Sequence, residues 1–262
     1  MHRTLLALLL AVGLALSAYA DITIKQSTSG KGLGMSGKTT GTTYIKGHRM
    51  RSDLVVGDKT QTTIFDVDAQ KMYIFDSKKK EADVWDMAAF AQEIAKSVDV
   101  SSTSASLKPN GQTKQIGGRT AAGYDMEISM QSAMAGSKDM NMTVTLQGPV
   151  WIVKNAPGSA DYSGFYKAAV EKGWIFSDPR AAKGQPGQAK AMAEMYKRIS
   201  DIGGIAYETD MQIKMSGSGP MGGLFAKLGN MSYSTIVDAV ETDSLSDALF
   251  APPAGYKLNP KK

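Results

Sequence analysis

The chain has no cysteine, and its two histidines are His2 and His48. Disulfides, thiolate nucleophiles and Cys/His zinc sites are excluded, and an HExxH metalloprotease site has no histidine pair to use. A Ser-His-Asp triad would need His48, which lies between Gly47 and Arg49 at a strand start and reads as an exposed structural residue. Long apolar runs are scarce too. The run from Leu5 to Leu16 follows His2 and Arg3 and precedes Ala18 and Ala20, the pattern of a signal peptide cleaved after Ala20. No later run reaches the roughly 18 residues a membrane span needs. No cysteine follows the apolar run to take a lipid anchor. The expected mature protein is periplasmic or secreted, residues 21–262, and stable without the disulfides its compartment would permit.

Strong charge of one sign is also missing. The formal +5 becomes +4 when Arg3 is removed, and no basic cluster stands out, so no nucleic-acid partner is expected. Asp66, Asp68, Asp76, Asp83 and Asp86 flank turns and strand ends, where aspartate is ordinary. The sequence is read as that of a non-enzyme with no cofactor.

What is present is dense strand pattern. Residues 22–28 alternate, and a glycine-rich stretch follows. Thr43 to Lys46, Arg49 to Val56, Thr60 to Val67, Met72 to Asp76 and Ala82 to Trp85 are short β-prone runs separated by Gly and Asp turns, which predicts an antiparallel meander. Ile-Phe-Asp at 64–66 and again at 74–76 would be two arms of one hairpin. Asp86 is placed to cap a helix with Met87, Phe90, Ala91 and Ile94 on one face. Residues 99–112 read as loop with some strand, and the sheet resumes over Gln115 to Ile116, Tyr124 to Ser132 and Met140 to Lys154.

Ser159 is placed to cap a second helix whose face is Tyr162, Phe165, Tyr166, Ala169 and Val170, ended by Gly173. A linker, 177–188, leads to a helix over about 189–202 presenting Met192, Met195, Tyr196, Ile199 and Ile202, stopped by Gly203 and Gly204. The two helices form a hairpin inserted at about 158–203, and their apolar faces read as core packing. Strands return over Ala206 to Met215 and Asn230 to Glu241. The glycine-rich bridge between them carries Met221, Leu224, Phe225 and Leu228 at helical spacing, a possible flap.

Methionine is the distinctive residue. Met126, Met130, Met134, Met140 and Met142 share one parity with Ile128, Val144 and Leu146, and the device returns in Met211, Ile213 and Met215. In a strand this parity builds one soft apolar face, suited to an irregular partner. Met126, Ile128, Met130, Met142, Val144, Leu146, Met211, Ile213 and Met215 are therefore the candidate lining of an apolar-ligand site. Thioethers also suit Cu(I). However, residues four apart in a strand are separated by about 13 Å, too far for one ion, so copper binding ranks below an apolar ligand.

Gly32 to Thr39 satisfies G-x-x-x-x-G-K-[ST], but that motif cradles phosphate only where its Lys and Thr open a helix. Here Thr40, Gly41, Thr42, Thr43, Tyr44 and Ile45 follow, which favour strand. A glycine-rich hairpin is expected, and no nucleotide.

Tyr44-Ile-Lys-Gly-His-Arg-Met-Arg-Ser-Asp53, Ile64-Phe-Asp-Val-Asp68 and Lys71-Met-Tyr-Ile-Phe-Asp76 resemble the core of the exported bacterial DUF4412 family. Ile116-Gly-Gly-Arg-Thr-Ala-Ala-Gly-Tyr124 and Leu249-Phe-Ala-Pro-Pro-Ala-Gly-Tyr256 extend the likeness across nearly the whole mature chain. That family has no assigned activity. Its strand pattern is similar to the LolA/LolB-like fold of periplasmic lipoprotein carriers, an incomplete barrel wrapped over helices. The resemblance implies an α+β fold, a curved antiparallel sheet or half-open β-barrel with helices packed on its concave side. It implies one domain over 21–262 that binds a lipid or lipoprotein acyl chain. The alternative is a structural or protein-interaction module of the cell envelope, its cavity filled by the inserted hairpin.

Overall fold

The computed structural model describes residues 21–31, 37–97, 103–133, 141–176, 178–182, 186–217 and 231–261. Residues 1–20, read as a signal peptide, and the flap residues 221–228 lie outside them. Twelve strands form one curved sheet that does not close. They are β1 (Ile22–Lys31), β2 (Gly37–Lys46), β3 (Arg49–Val56), β4 (Lys59–Asp66), β5 (Lys71–Asp76), β6 (Glu81–Asp86), β7 (Thr103–Ile116), β8 (Arg119–Ala133), β9 (Asn141–Val153), β10 (Ile205–Gly217), β11 (Met231–Glu241) and β12 (Lys257–Lys261). Their order is β12-β6-β5-β4-β3-β2-β1-β11-β10-β9-β8-β7, antiparallel except where β12 lies parallel to β6.

Alternation along each strand aligns across the sheet. Ile22, Ile45, Met50, Phe65, Met72 and Trp85 sit opposite one another in register on β1 to β6, one unbroken apolar row. Ala105, Ile128, Leu146, Ile213 and Met231 make the matching row on β7 to β11. A one-residue slip would turn either row to the opposite face, so these rows fix the register.

The helices lie on the face those rows form. Helix α1 (Met87–Ser97) is capped as expected, with the Ala89 amide donating to Asp86 Oδ1 at 3.0 Å, and it buries Met87, Phe90 and Ile94. Helix α2 (Ser159–Glu171) begins differently from the sequence expectation. Gly158 is the N-cap, in left-handed backbone at φ 69°, and no side chain caps the helix. A β-carbon there would fall 2.6 Å from Ile22 Cδ1, so glycine lets the helix end approach β1 while Ser159 is already helical. Gly173 closes the helix, with the Trp174 amide donating back to the Ala169 carbonyl at 2.9 Å. Within the stretch read as linker, Pro179–Ala182 makes a single turn, α3, and Pro186 already opens α4 (Pro186–Ile202).

Residues 99–112, read mainly as loop, include most of the 14-residue edge strand β7. Paired on one side only, an edge strand tolerates the polar residues and the proline that disguised it, and its register breaks between Pro109 and Thr113. The C-terminal stretch crosses the face away from the helices. Asp21 accepts from the Leu245 amide at 2.6 Å, Lys46 donates to the Leu245 carbonyl at 2.6 Å, and Arg49 binds Asp247 at 2.6 Å while lying over the Phe250 ring. Tyr256 then meets Phe75 edge-on before β12 begins.

Candidate functional site

The methionine-bearing strands form one face, as their parity requires, and α4 lies on part of it. Ala191, Met195 and Ile202 of α4 pack with Tyr124, Met126, Ile128, Val150, Ile152 and Met211. Met126, Ile128 and Met211 retain 4%, 2% and 1% of their exposure, so they belong to a core. Farther along the strands, Met130, Val144 and Met215 face one another in register and are only half-buried, as are Leu146 and Ile213. The Met142 side chain lies outside the described residues, with the flap residues Met221, Leu224, Phe225 and Leu228.

The hollow between helices and sheet is centred elsewhere. A cavity of about 230 Å³ lies where α2 and α4 bridge β1, β2 and β3. Its floor is set by cross-strand register. Ile24 faces Thr43, Thr43 faces Ser52, and Gln26 projects beside them. Its other walls include Tyr162 and Tyr166 of α2, Tyr196 of α4, Phe176 from the segment after α2, and Met50 and Phe65 of the long apolar row.

These rings hold one another. Tyr166 and Tyr196 stack with centroids 4.9 Å apart and 6° between planes, Tyr162 lies 4.7 Å from Tyr166, and Phe176 lies 5.1 Å from Tyr166 and 4.9 Å from Tyr196. Such pairs add about 0.5–1.5 kcal/mol each beyond burial. They hold α2, α4 and the segment after α2 together, while Phe65 of β4, with its ring 6.0 Å from Trp174 and 5.9 Å from Phe176, ties that cluster to the sheet. The Tyr166 hydroxyl donates to Met50 Sδ at 3.9 Å. Burial holds all three phenols above their usual titration range, and for Tyr166 the neighbouring Tyr162 and Tyr196 add to the effect. Gln26, Thr43 and Ser52 make no side-chain hydrogen bond among the described residues. The wall thus offers apolar and aromatic surface with a small neutral hydrogen-bonding patch at its floor. Among the described residues its lining carries no carboxylate, ammonium, guanidinium or imidazole, and its ionisable groups are the three phenols.

This site was only half visible in the sequence. Tyr162, Tyr166 and Tyr196 were legible as apolar helix positions, but nothing local distinguished a ring facing a hollow from one filling a core. Gln26, Thr43 and Ser52 are unremarkable strand residues until the register aligns them.

The other motifs resolve simply. Lys38 and Thr39 lie on β2, paired with Ser29 and Thr28, whereas a phosphate loop needs them at a helix start. His48 sits in the β2–β3 turn with Nδ1 at 3.1 Å from Asp68, which Lys172 also approaches at 3.3 Å. No helix among the described residues is long and apolar enough to cross a membrane.

No family model and no curated protein matches the sequence, so the DUF4412 likeness rests on its motifs. Similar solved structures include an uncharacterized conserved protein from Thermus thermophilus, at 8% identity over 93% of this chain and 91% of that one, with a TM-score of 0.41. A domain named for outer membrane lipoprotein sorting, from Vibrio parahaemolyticus, gives 9% identity over 88% and 89%, with a TM-score of 0.31. A DUF1329 family protein from Desulfovibrio piger gives 9% over 90% and 91%, at 0.22.

Proposed function

We propose that this is an exported, periplasmic and non-catalytic binding protein. It holds one apolar chain of a lipid or acylated protein between the sheet and the α2–α4 hairpin, with the helices seated in the hollow of the curve. The observation that carries this reading is the cavity itself. Its walls are Tyr162, Tyr166, Phe176, Tyr196, Met50 and Phe65, and its floor has the uncommitted polar groups of Gln26, Thr43 and Ser52. An ester or amide carbonyl at the end of an acyl chain matches that floor, since Gln26 and the two hydroxyls can donate to it.

The volume constrains the ligand. At about 230 Å³ the cavity is smaller than the roughly 300–1,000 Å³ of most ligand pockets, so one short chain segment fits and a multi-chain lipid requires the hairpin to shift. Each methylene buried contributes roughly 0.8 kcal/mol, so a segment of about five carbons supports affinity near the millimolar range and about ten would be needed for micromolar.

Native mass spectrometry of protein purified from its own host, paired with titration of a fluorescent fatty acid, tests the reading. A co-purified lipid mass and saturable fluorescence are expected. A ligand-free mass with no fluorescence response would sink it and leave the envelope interaction module, whose helices merely fill the sheet.

A further inference from the structure

We infer a second binding site, for a neutral saccharide, on the sheet face away from the helices. Where β9, β10, β11 and β1 meet, a groove of about 500 Å³ is lined by Lys31, Gln147, Asp210, Gln212, Ser232 and Ser234. The side chains come from a register row. Lys31 faces Ser232, Ser232 faces Gln212, and Gln212 faces Gln147, while Asp210 faces Ser234 one step along. These positions alternate with Leu146, Met211 and Tyr233 of the helix-covered face, which places them on the opposite one.

The groove owes its depth to glycine. Gly30 and Gly148 lie in its lining, and the β10 backbone comes so close that a β-carbon on Gly148 would fall 1.9 Å from the Asp210 carbonyl oxygen.

Its polar groups are uncommitted. Elsewhere on these strands polar side chains are paired, as in Ser27 with Asp238 at 2.5 Å, Lys25 with Glu241 at 2.6 Å and Thr28 with Thr235 at 2.9 Å. The six groove residues make no side-chain hydrogen bond or ion pair among the described residues. Two carboxamides and two hydroxyls both donate and accept, Asp210 accepts and Lys31 donates. That inventory matches vicinal hydroxyls, which present donors and acceptors together. The single positive and single negative charge cancel, which disfavours a polyanion. The lining mixes these polar groups with the apolar surface of Pro149, Met211 and Tyr233, a combination that suits a sugar ring, with its hydroxyls and C–H faces, better than an acyl chain that would leave the six polar groups unpaired. The occupant that fits is a neutral glycan segment, bound weakly through direct and water-bridged contacts.

The test is ligand-observed NMR and calorimetry with chitohexaose and maltohexaose as neutral probes and heparin as the polyanion. Saturable binding of a neutral oligosaccharide is expected, weakened about tenfold or more in the Gln147→Ala/Gln212→Ala double variant, since each lost hydrogen bond is worth about 1 kcal/mol. Both positions are on the sheet surface, and an unchanged thermal transition would confirm folding. Fatty-acid titration of the same variant should be unaltered, which separates this site from the cavity. The proposal is overturned if neither oligosaccharide binds at about 10 mM, the range of very weak sites. It is equally overturned if binding survives the double substitution, or if heparin alone binds.

Discussion

The Tyr166 ring on α2 lies flat against the Tyr196 ring on α4, 4.9 Å away and 6° from parallel, at the wall of the cavity. The contact joins the two arms of the inserted hairpin at the place where a ligand would touch both. Burial raises both phenols, and raises Tyr162 beside them. In the unfolded chain a tyrosine titrates near pH ~10. Above that pH the unfolded state loses protons that the folded state keeps, so folding stability is full below it and is lost as pH rises toward the folded values. Urea unfolding across pH 8 to 12 (about the range bracketing that titration) should show a fall beginning near pH ~10. Tyr166→Phe should flatten it, and an unchanged slope would count against the buried phenol cluster.

Filling the floor should close the cavity without touching the tyrosines. Ser52→Leu adds a branched side chain to a strand position whose neighbours are Thr43 and Thr63. Fatty-acid affinity should drop about tenfold or more while the fold persists, because overpacking costs typically ~1–3 kcal/mol. Undiminished affinity would place the ligand elsewhere.

Met126 and Met130 share a face and should respond differently. Met126, at 4% exposure under α4, should lose about 2–4 kcal/mol on truncation to alanine, and half-buried Met130 markedly less. Neither substitution should alter ligand affinity as Ser52→Leu does. A large affinity loss in Met126→Ala with little loss of stability would restore the methionine face as the binding wall.

Gly148 should be intolerant of any side chain. With a β-carbon 1.9 Å from the Asp210 carbonyl oxygen, Gly148→Ala must push β9 from β10, at a cost of about 2 kcal/mol or more. Chemical denaturation measures this directly. Gly111, whose added β-carbon meets no atom within 4 Å, is the comparison for backbone strain alone, since it sits at φ 74°.

Much of the sheet was legible because its signals are local. Period-two alternation located β3 to β6 closely, Asp86 marked the start of α1, and Gly173 and Gly203 marked helix ends. Strand β7 was obscured because its serine, lysine and Pro109 are penalised only where a second neighbour exists. Strand β12 carries Pro260 for the same reason. Gly158 in place of a serine cap follows from a contact with Ile22, some 136 positions away, which no local window contains. Which of the binding candidates stay open was hidden from the sequence for the same reason. Which apolar row remains open depends on where the hairpin lands, and that is set by long-range contacts such as Phe65 with Trp174 and Phe176 and α4 with the β8–β10 face.

The seam between β1 and β11 has a further meaning for the order of events in the life of the chain. Thr23 pairs with Glu241, Ile24 with Val240 and Lys25 with Ala239, so β1 waits for almost the last strand. The meander of β2 to β6 and the hairpins of β7 to β9 can each form from nearby residues, but the seam that unites the two halves of the sheet closes a loop of nearly the entire chain. Such long-range pairing is slow relative to hairpin closure. A polypeptide synthesised from its amino end would therefore remain two unjoined sheets until β11 appears, so the complete sheet is among the last things the chain can form.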